Sequence, residues 1–390
     1  MAEQNKNITK IVMFLSNPYR PDSRVEREAY SLSIHGYQVT IICWDREHNF
    51  PPVEIVHGIT IIRVQDAPSA YGKGWRQLFV IPRFWLSAWR KARQLRPNIV
   101  HAHDLDTLPV GFWSKARLGC RLVFDAHEDY PSLMILYLPK LLVNFLRLIE
   151  QKLAKRADAI ITASSILAKK YKSAGLSSVI TIGNYPDTSV FNTIESTAQI
   201  RTRISLGYSP EDYIVAYIGG FSKNRLIFPL IEAVKALPDI KLILAGDGHQ
   251  REAIKTLVAD APNIQYVGWI PADQVPLYTL FSDVIYYCLL PDYPGAIYNA
   301  PNTLSNAMAA GKPILANDVG DLGRIVNQVG CGILIDPVNR NTITAALVSL
   351  KEINLRRRLG QLGKMAAQNE FNWGCAEKKL IDLYQHLILH

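Results

Sequence analysis

Residues 301–318 read Pro-Asn-Thr-Leu-Ser-Asn-Ala-Met-Ala-Ala-Gly-Lys-Pro-Ile-Leu-Ala-Asn-Asp. Pro301 suits the first turn of a helix, and Gly311 with Pro313 predicts that the helix stops directly before an apolar strand. The small residues 307–310 would let this helix pack closely on a sheet. Its unpaired N–H groups would then be available to an anion such as a diphosphate. An ordinary helix-to-strand connection explains the same residues without a ligand.

The remainder of the chain alternates apolar runs with helical periodicity, and this pattern restarts once. In the first half, strands are predicted at residues 8–15, 38–43, 58–64, 99–102, 121–125, 159–163 and 179–182. After a polar stretch they are predicted at 213–218, 240–245, 264–267, 284–287 and 313–316. The alternation predicts an α/β fold with two Rossmann-like domains, each a doubly wound parallel sheet, at 1–195 and 196–374. Ligands are expected in a cleft where the carboxyl ends of the two sets of strands face each other.

Composition restricts the class of protein. The chain has 390 residues, 48% of them hydrophobic, which is enough for two α/β cores. Its five cysteines are scattered and form no C-x-x-C pair, so neither a disulfide framework nor a zinc site is predicted. The first residues lack a basic segment followed by an apolar one, and no uncharged run reaches the length of a membrane span, about 18 residues. We therefore expect a cytoplasmic protein that is neither secreted nor membrane-spanning.

Positive charge is concentrated in the first half of the chain. The net charge is +9, and residues 1–195 contain 25 Lys and Arg against 17 Asp and Glu. Residues 73–96 carry seven basic residues, three tryptophans and no acidic residue. On a helix Trp85 and Trp89 share one face, and this apolar stripe could rest on an anionic membrane surface. The cations that would flank the stripe are Arg83, Arg90 and Arg93.

Burial of the two tryptophans in the domain core is the alternative. Nucleic acid is not expected as a partner, because the basic stretch contains no recognised nucleic-acid-binding module. A second apolar stretch with spaced cations, residues 137–150, is too interrupted to span a bilayer. It predicts either a core helix or an interfacial one.

The stretch that begins at Pro301 resembles the C-terminal signature of family-4-type glycosyltransferases, which have the two-domain GT-B fold. Most members carry two glutamates eight residues apart, where this chain has Tyr298 and Asn306. One branch has a P-N-K-x-x-E pattern, which this chain follows with Thr for Lys and Asn for Glu. The resemblance implies that Tyr298, Asn302, Thr303 and Asn306 bind the donor, a nucleoside-diphosphate sugar.

Three further turns in the second domain resemble donor-binding segments of the same family. Gly219 and Gly220 follow a predicted strand, and glycines there let backbone N–H groups approach a phosphate. The family has an Arg at the position of Gly220 and a Lys at that of Arg225, so the resemblance implies that Arg225 binds the diphosphate. It also implies donor contacts at Gly246 and at the Trp269-Ile270 segment. A pair of solvated surface cations, Lys223 and Arg225, is the alternative.

In the first domain, His101-Ala102-His103-Asp104 and Asp125-Ala126-His127-Glu128-Asp129 each follow a predicted strand. The second segment resembles the family's D-x-H-E position. This implies a catalytic role for His127 beside the reacting sugar, with Asp104 and Glu128 as acceptor-binding residues. Metal binding is a competing interpretation, but neither H-x-x-x-H nor H-E-x-x-H occurs, and no metal is expected.

The segment Asp22-Ser23-Arg24-Val25 resembles a form found in some capsule and cell-wall members. Ser23 is predicted to cap a helix, with Glu26 three residues later. Arg24 would then point into the cleft and bind a phosphate-bearing acceptor.

The expected function is transfer of a sugar from a nucleoside-diphosphate donor to a glycan or lipid-linked acceptor. The resemblance implies retention of anomeric configuration and no metal or other cofactor, and it implies that the last helix, 375–390, packs back on the first domain. The protein would act in the cytoplasm, at the inner face of the plasma membrane. Two alternatives stay open: a catalytically silent relative that acts as a binding or scaffolding subunit, and a sugar-nucleotide epimerase.

Overall fold

The computed structural model describes residues 8–20, 22–69 and 77–389, and for residues 77–79 it describes only their place in a helix. The chain divides into two units. Unit 1 comprises the described residues up to Gly183 together with those from Glu377 onward, and unit 2 comprises Asn184–Ala376. Residues 184–195 belong to unit 2 rather than to the first domain, because the short helices after Asn184 pack against a helix of unit 2.

Unit 1 contains a sheet and its covering helices. Its strands are β1 (Lys10–Leu15), β2 (Gln38–Trp44), β3 (Val53–Val56), β4 (Ile59–Val64), β5 (Ile99–His103), β6 (Arg121–Ala126), β7 (Ala159–Thr162) and β8 (Val179–Thr181). Its helices are α1 (Ser23–Ile34), α2 (Gln77–Leu95), α3 (Leu108–Leu118), α4 (Tyr130–Met134), α5 (Lys140–Ala154) and α6 (Ser165–Ser173).

The strand order of this sheet is β3-β4-β2-β1-β5-β6-β7-β8, and every pair is parallel except β3 with β4. The central strands are buried on both faces, which explains why they appear in the sequence as continuous apolar runs such as 11–15. The predicted parallel, doubly wound sheet is confirmed. The antiparallel edge strand β3 was not predicted.

The start of α1 differs from the prediction by one residue. Asp22, not Ser23, is the N-cap, and its side chain accepts a hydrogen bond from the Val25 backbone N–H at 3.2 Å. The Asn17 side chain donates to the other carboxylate oxygen at 2.9 Å, which holds Asp22 in its capping position.

Unit 2 repeats the architecture with fewer strands. Its strands are β9 (Tyr213–Ile218), β10 (Ile240–Ala245), β11 (Ile264–Gly268), β12 (Val284–Tyr287), β13 (Ile314–Ala316) and β14 (Gly332–Leu334). Its helices are α7 (Ser189–Thr193), α8 (Ser196–Ser205), α9 (Ile227–Lys235), α10 (Arg251–Val258), α11 (Val275–Phe281), α12 (Asn302–Ala309), α13 (Gly320–Val329), α14 (Arg340–Ser349) and α15 (Ile353–Asn369). The last helix of the chain is α16 (Trp373–Leu389), whose residues from Glu377 belong to unit 1.

The strand order in unit 2 is β11-β10-β9-β12-β13-β14, all parallel. Helix α12 is the one predicted from residues 301–318. It buries Leu304, Ala307 and Met308, and it ends at Ala309, two residues before Gly311, which has a φ of +67°. The small residues therefore allow close packing on the sheet and on α15, as their pattern predicts.

Candidate functional site

The site in unit 1 lies at the carboxyl ends of two adjacent parallel strands. His103 at the end of β5 pairs in register with Asp125 on β6. The next residue, Asp104, has a φ of +61°, and its carboxylate accepts a hydrogen bond from the His127 backbone N–H at 3.1 Å. This pairing brings the two predicted His/Asp segments together, although they are separated in sequence.

Asp125 is the centre of this cluster. It is fully buried and accepts hydrogen bonds from Arg24 Nε at 3.1 Å and Arg24 Nη2 at 2.9 Å. Arg24 Nη2 also lies 3.1 Å from Glu28 Oε1, and Arg24 Nη1 donates to the Ile182 carbonyl oxygen at 3.0 Å. A buried bidentate guanidinium–carboxylate pair is strong only when the other N–H groups and oxygens of the two side chains are also hydrogen-bonded. Here each of the three guanidinium nitrogens of Arg24 has an acceptor.

Arg24 is therefore not placed as the sequence analysis expected. Only 4% of the residue is exposed, and its guanidinium points into the unit 1 interior toward Asp125. The structure assigns it the role of neutralising buried carboxylates, and it does not support direct contact with an acceptor. Glu28, one turn later on α1, belongs to the same cluster, and the sequence analysis missed it; the i,i+4 spacing from Arg24 is the signal that could have found it.

His127 faces a carboxylate at each ring nitrogen. Its Nε2 lies 3.1 Å from Asp125 Oδ2 and 3.1 Å from His103 Nδ1, and its Nδ1 lies 3.5 Å from Asp104 Oδ2. Burial disfavours the charged ring, but Asp104 and Asp125 outweigh that effect and raise the pKa of His127 to about 10. The side chain keeps 20% of its surface exposed, so a ligand can contact the ring although both nitrogens face carboxylates.

The pKa values of the neighbouring acids are shifted in different directions by their environments. Burial alone would raise the pKa of Asp125, but Arg24 and His127 hold that pKa well below its usual range. Burial raises the pKa of Glu28 to about 8 and that of Asp104 to about 7. Glu128 is exposed at the end of the same loop. At neutral pH the cluster thus combines an anionic Asp125, a cationic His127 and two acids that bind protons readily.

Four side chains of the cluster are of types that bind metals. The ligand atoms of Glu28, His101, His103 and Asp125 all lie within 4.8 Å of one another. However, a cation bound here would have to share the Asp125 oxygens with the Arg24 guanidinium, which is already 2.9 Å from one of them. His101 Nδ1 lies 2.8 Å from the Tyr384 hydroxyl, which fixes the orientation of the ring. The charge balance favours an internal ion-pair network over a metal centre.

The predicted donor-binding turns of unit 2 gather at the carboxyl ends of β9, β10 and β11. The Gly219 N–H donates to the Ala245 carbonyl at 2.9 Å, and the Gly246 N–H donates to the Gly268 carbonyl at 2.8 Å. A Cβ at position 246 would lie 1.9 Å from the Gly219 oxygen, and its φ is +156°. No side chain fits there, so this glycine is required for the loops to pack.

Arg225 lies in the loop after β9, beside the end of β12. It forms an isolated antiparallel bridge with Leu289, and its guanidinium carbon is 4.7 Å from the centroid of the Tyr287 ring. The Nη1 atom is buried and has no hydrogen-bond partner among the residues that the structure describes. A buried cationic donor without an acceptor is costly unless a ligand supplies the acceptor. The adjacent Gly220 accepts a hydrogen bond from the Tyr217 hydroxyl at 2.7 Å, which fixes the loop.

The N-terminus of α12 lies next to the same strand ends. The Thr303 hydroxyl donates to the Ile218 carbonyl, the last residue of β9, at 3.3 Å. Pro301 occupies the N-cap position and supplies no side-chain cap to the first N–H groups, and Asn302 is exposed. Asn306 is half-buried, and its side chain makes no hydrogen bond within the described part of the chain. The helix start, the glycine loop and the strand ends therefore form one anion-accepting region.

The remaining predicted residues lie in the segments that flank this region. Trp269 is exposed and Ile270 is buried, and both directly follow β11. Tyr298 ends a short 3-10 helix, Ala296–Tyr298. Gly320 at the start of α13 has a φ of +59°, and a Cβ there would lie 2.3 Å from the oxygen of Ile297. The first turn of α13 thus contacts the segment that carries Tyr298.

Two Rossmann-like domains, each built on a mainly parallel sheet, are the architecture of the GT-B glycosyltransferases. Two family models match the chain: Glycosyltransferase Family 4 over residues 24–190 and Glycosyl transferases group 1 over residues 199–365. The chain therefore belongs to the family-4-like GT-B glycosyltransferases, as its sequence motifs predict.

Curated relatives are distant. The sulfoquinovosyl transferase SQD2 of Arabidopsis thaliana is 22% identical over 295 residues, which are 74% of this chain and 56% of that protein. The alpha-monoglucosyldiacylglycerol synthase of Acholeplasma laidlawii is 24% identical over 313 residues, 73% of this chain and 74% of that one. The match spans little more than half the length of the Arabidopsis protein, and two uncharacterized glycosyltransferases of Methanocaldococcus jannaschii are matched over 66% and 48% of theirs.

Solved structures share the fold over nearly the whole chain. Sucrose-phosphate synthase from Thermosynechococcus elongatus superposes with a TM-score of 0.81 at 20% identity, covering 97% of this chain and 99% of that one. HepE from Anabaena, solved in complex with UDP-glucose, superposes with a TM-score of 0.76 at 15% identity, covering 97% and 99%. At these identities the likeness establishes the fold.

Proposed function

We propose that this enzyme transfers a sugar from a nucleoside-diphosphate donor held by unit 2 to an acceptor held by unit 1. Two observations carry the proposal: the Nη1 atom of Arg225, in the loop after β9, is buried and unpartnered within the described residues, and the uncapped start of α12 is held at the end of β9 by the Thr303 hydroxyl. A diphosphate would satisfy both at once, because its oxygens accept from a guanidinium and from helix N–H groups. The HepE structures with UDP and UDP-glucose support a nucleotide sugar of this kind as donor.

The same groups would supply the catalysis. When the sugar–phosphate bond breaks, negative charge develops on the departing diphosphate, and Arg225 with the N–H groups at Asn302 and Thr303 would stabilise it in place of a metal ion. We propose a metal-independent reaction on this basis, and the membership of the GT-B family 4 group supports retention of anomeric configuration. The partly exposed, cationic ring of His127 would contact the reacting sugar, and the exposed Glu128 and the readily protonated Asp104 would bind acceptor hydroxyls.

We propose a glycan or a lipid-linked molecule as acceptor. The Acholeplasma relative is an alpha-monoglucosyldiacylglycerol synthase, and this supports a lipid acceptor. The basic residues of 73–96 support work at an anionic membrane surface, which for this protein would be the cytoplasmic face. Of these residues the structure describes 77–96, and Arg83, Arg90 and Arg93 are exposed on α2.

One observation favours a second candidate, a catalytically silent subunit. Tyr298, Gly220 and Asn306 stand where related enzymes carry charged residues, so three groups that handle the donor are absent. Such a subunit would not transfer sugar, whether or not it has kept the ability to bind a nucleotide.

Isothermal calorimetry with UDP, GDP and their sugars tests the donor site. Arg225→Ala should weaken nucleoside-diphosphate binding by about 1.5–3 kcal/mol, roughly 10- to 150-fold, because a charge-assisted hydrogen bond is lost. Lys223→Ala, an exposed cation in the same loop, is the matched control and should change the affinity by less than about threefold. Equal effects of the two variants would contradict the assignment of Arg225.

Liquid chromatography with mass spectrometry distinguishes the three candidate functions, because epimers of equal mass are resolved by their retention. Incubation of a nucleotide sugar with membrane lipid extract should yield a glycosylated acceptor and free nucleoside diphosphate. A new nucleotide-sugar epimer in the absence of acceptor would instead identify an epimerase. Nucleotide binding with no turnover of any donor tested would support the silent subunit.

A further inference from the structure

Helix α5 presents an apolar face to solvent. Leu141 is 85% exposed, Phe145 56% and Leu148 55%, and these residues follow one another at spacings of four and three along the helix. The core side of α5 is formed by Val143 and Ala154. Residues 137–150 thus combine features of the two predicted alternatives, a core helix and an interfacial helix. One side of α5 packs on the core, and the other side is apolar and exposed to solvent.

The exposed apolar surface continues beyond α5. The turn that precedes it exposes Ile135, Leu136 and Tyr137. Helix α3 packs against both α2 and α5 and exposes Trp113, and α2 exposes Leu86. We define the outward face of α5 with its preceding turn as the α5 face. An apolar patch on this scale is uncommon on a protein with no partner.

The tryptophans of α2, by contrast, do not form the exposed stripe that the sequence predicts. Helix α2 buries Phe84, Ala88 and Ala92. Trp85 is half-buried, and its Nε1 donates to the Asp106 carbonyl at 2.6 Å. Of the exposed residues described on α2, three are cations, Arg83, Arg90 and Arg93, and Leu86 is the large apolar one. Helix α2 therefore supplies charge but less apolar area than α5.

The charge around the α5 face is positive. Lys140, Lys152, Lys155 and Arg156 are exposed at or near the ends of α5. The only acidic residue of the helix, Glu150, is on the buried side, where it is 2% exposed. An apolar surface framed by cations is complementary to an anionic lipid bilayer. A second copy of the chain fits poorly, because the two sets of cations would face each other. None of the described helices is long and apolar enough to cross a membrane.

We infer that the α5 face inserts into the interfacial layer of an anionic membrane, with the exposed cations of α2 and α5 against the lipid headgroups. The face begins close to the site cluster: α4 starts at Tyr130, three residues after His127, and Ile135 follows directly on α4. An amphiphilic acceptor anchored in the bilayer would therefore meet unit 1 beside His127. Only this last consequence rests on the proposed function.

Vesicle flotation of the full chain tests the inference. The protein should float with vesicles that contain about one third phosphatidylglycerol and should stay in the pellet fraction with pure phosphatidylcholine. The triple variant L141S, F145S, L148S should lose binding at least tenfold, because its apolar contact is removed. The variant R83S, R90S, R93S should bind more weakly at low salt only, since salt screens headgroup attraction. Ile200→Ser with Ile204→Ser, two exposed apolar residues on α8, is the matched control and should float normally.

A site-specific probe covers the case in which the triple variant folds poorly. A bimane label on Leu141→Cys should shift its emission to the blue when acidic vesicles are added, and the same label on Ile204→Cys should not. Wild-type protein that fails to float with acidic vesicles, or a triple variant that floats like wild type, would overturn the inference. Failure of the wild-type protein to bind nucleotide in calorimetry would instead count against the proposed function. It would leave the membrane inference intact, because the α5 face is not part of the proposed donor site.

Discussion

Substituting Asp125 by Asn tests whether the buried cluster is held together by charge. The change keeps the shape of the side chain and removes one negative charge that is fully buried. Arg24 donates three hydrogen bonds to this carboxylate, at 2.9, 3.0 and 3.1 Å, and His127 lies 3.1 Å from it. The amide keeps one acceptor oxygen but carries no charge for either cation. Two buried or half-buried cations are left without their shared counter-ion.

The size of the effect follows from the burial of the pair. Removing one partner of a buried ion pair costs about 3–5 kcal/mol, because the other charge stays out of water without compensation. Glu28→Gln is the matched control in the same cluster. Since burial raises the pKa of Glu28 to about 8, this side chain is already mostly protonated at pH 7, and the neutral amide should cost less than about 1 kcal/mol.

Hydrogen–deuterium exchange with mass spectrometry measures unit 1 separately from unit 2. Peptides from β5 and β6 should exchange roughly 150- to 5,000-fold faster in Asp125→Asn at pH 7, whereas peptides from β9 and β10 should be unchanged. In Glu28→Gln all four peptides should resemble wild type. Equal acceleration in the two variants, or acceleration of less than fivefold in Asp125→Asn, would refute the assignment of charge within the cluster.

Two further predictions concern Glu150 and Asn306. Burial raises the pKa of Glu150 to about 8, so the folded chain retains a proton that the unfolded chain releases near pH 4.5. This contribution to stability is present below pH 4.5 and is lost as pH rises through 8, at about 1.4 kcal/mol per pH unit. In urea unfolding, Glu150→Gln should flatten the pH dependence of the unfolding free energy over this range. An unaltered slope would contradict the raised pKa of Glu150. Asn306→Ala should weaken donor binding by about 0.5–1.5 kcal/mol in calorimetry, the size of a neutral hydrogen bond to a ribose or sugar hydroxyl; unchanged affinity would place Asn306 away from the donor.

Local pattern was enough to predict the α/β class and most strands, but not the edge strands β3 and β14. Apolar runs such as 213–218 become parallel strands because both faces of each strand are buried, and that requirement is written in consecutive residues. The limits of α12 follow from Pro301 and Gly311 because proline and glycine act through backbone geometry at their own positions. The order of the glycine turns also indicated the family, since each turn follows its own strand.

Only the tertiary structure decided how the site is assembled and which surfaces stay outside. Arg24 meets Asp125, 101 residues later, because β1 pairs with β5 and β5 with β6, and strand order is not encoded in any short stretch. The same packing turned Trp85 toward Asp106 and left Leu141 in solvent, although both lie in amphipathic helices. The protonation of His127 and Glu28 depends on the charges and burial that this packing creates, so the chemistry of the cluster could not be derived from residue types alone.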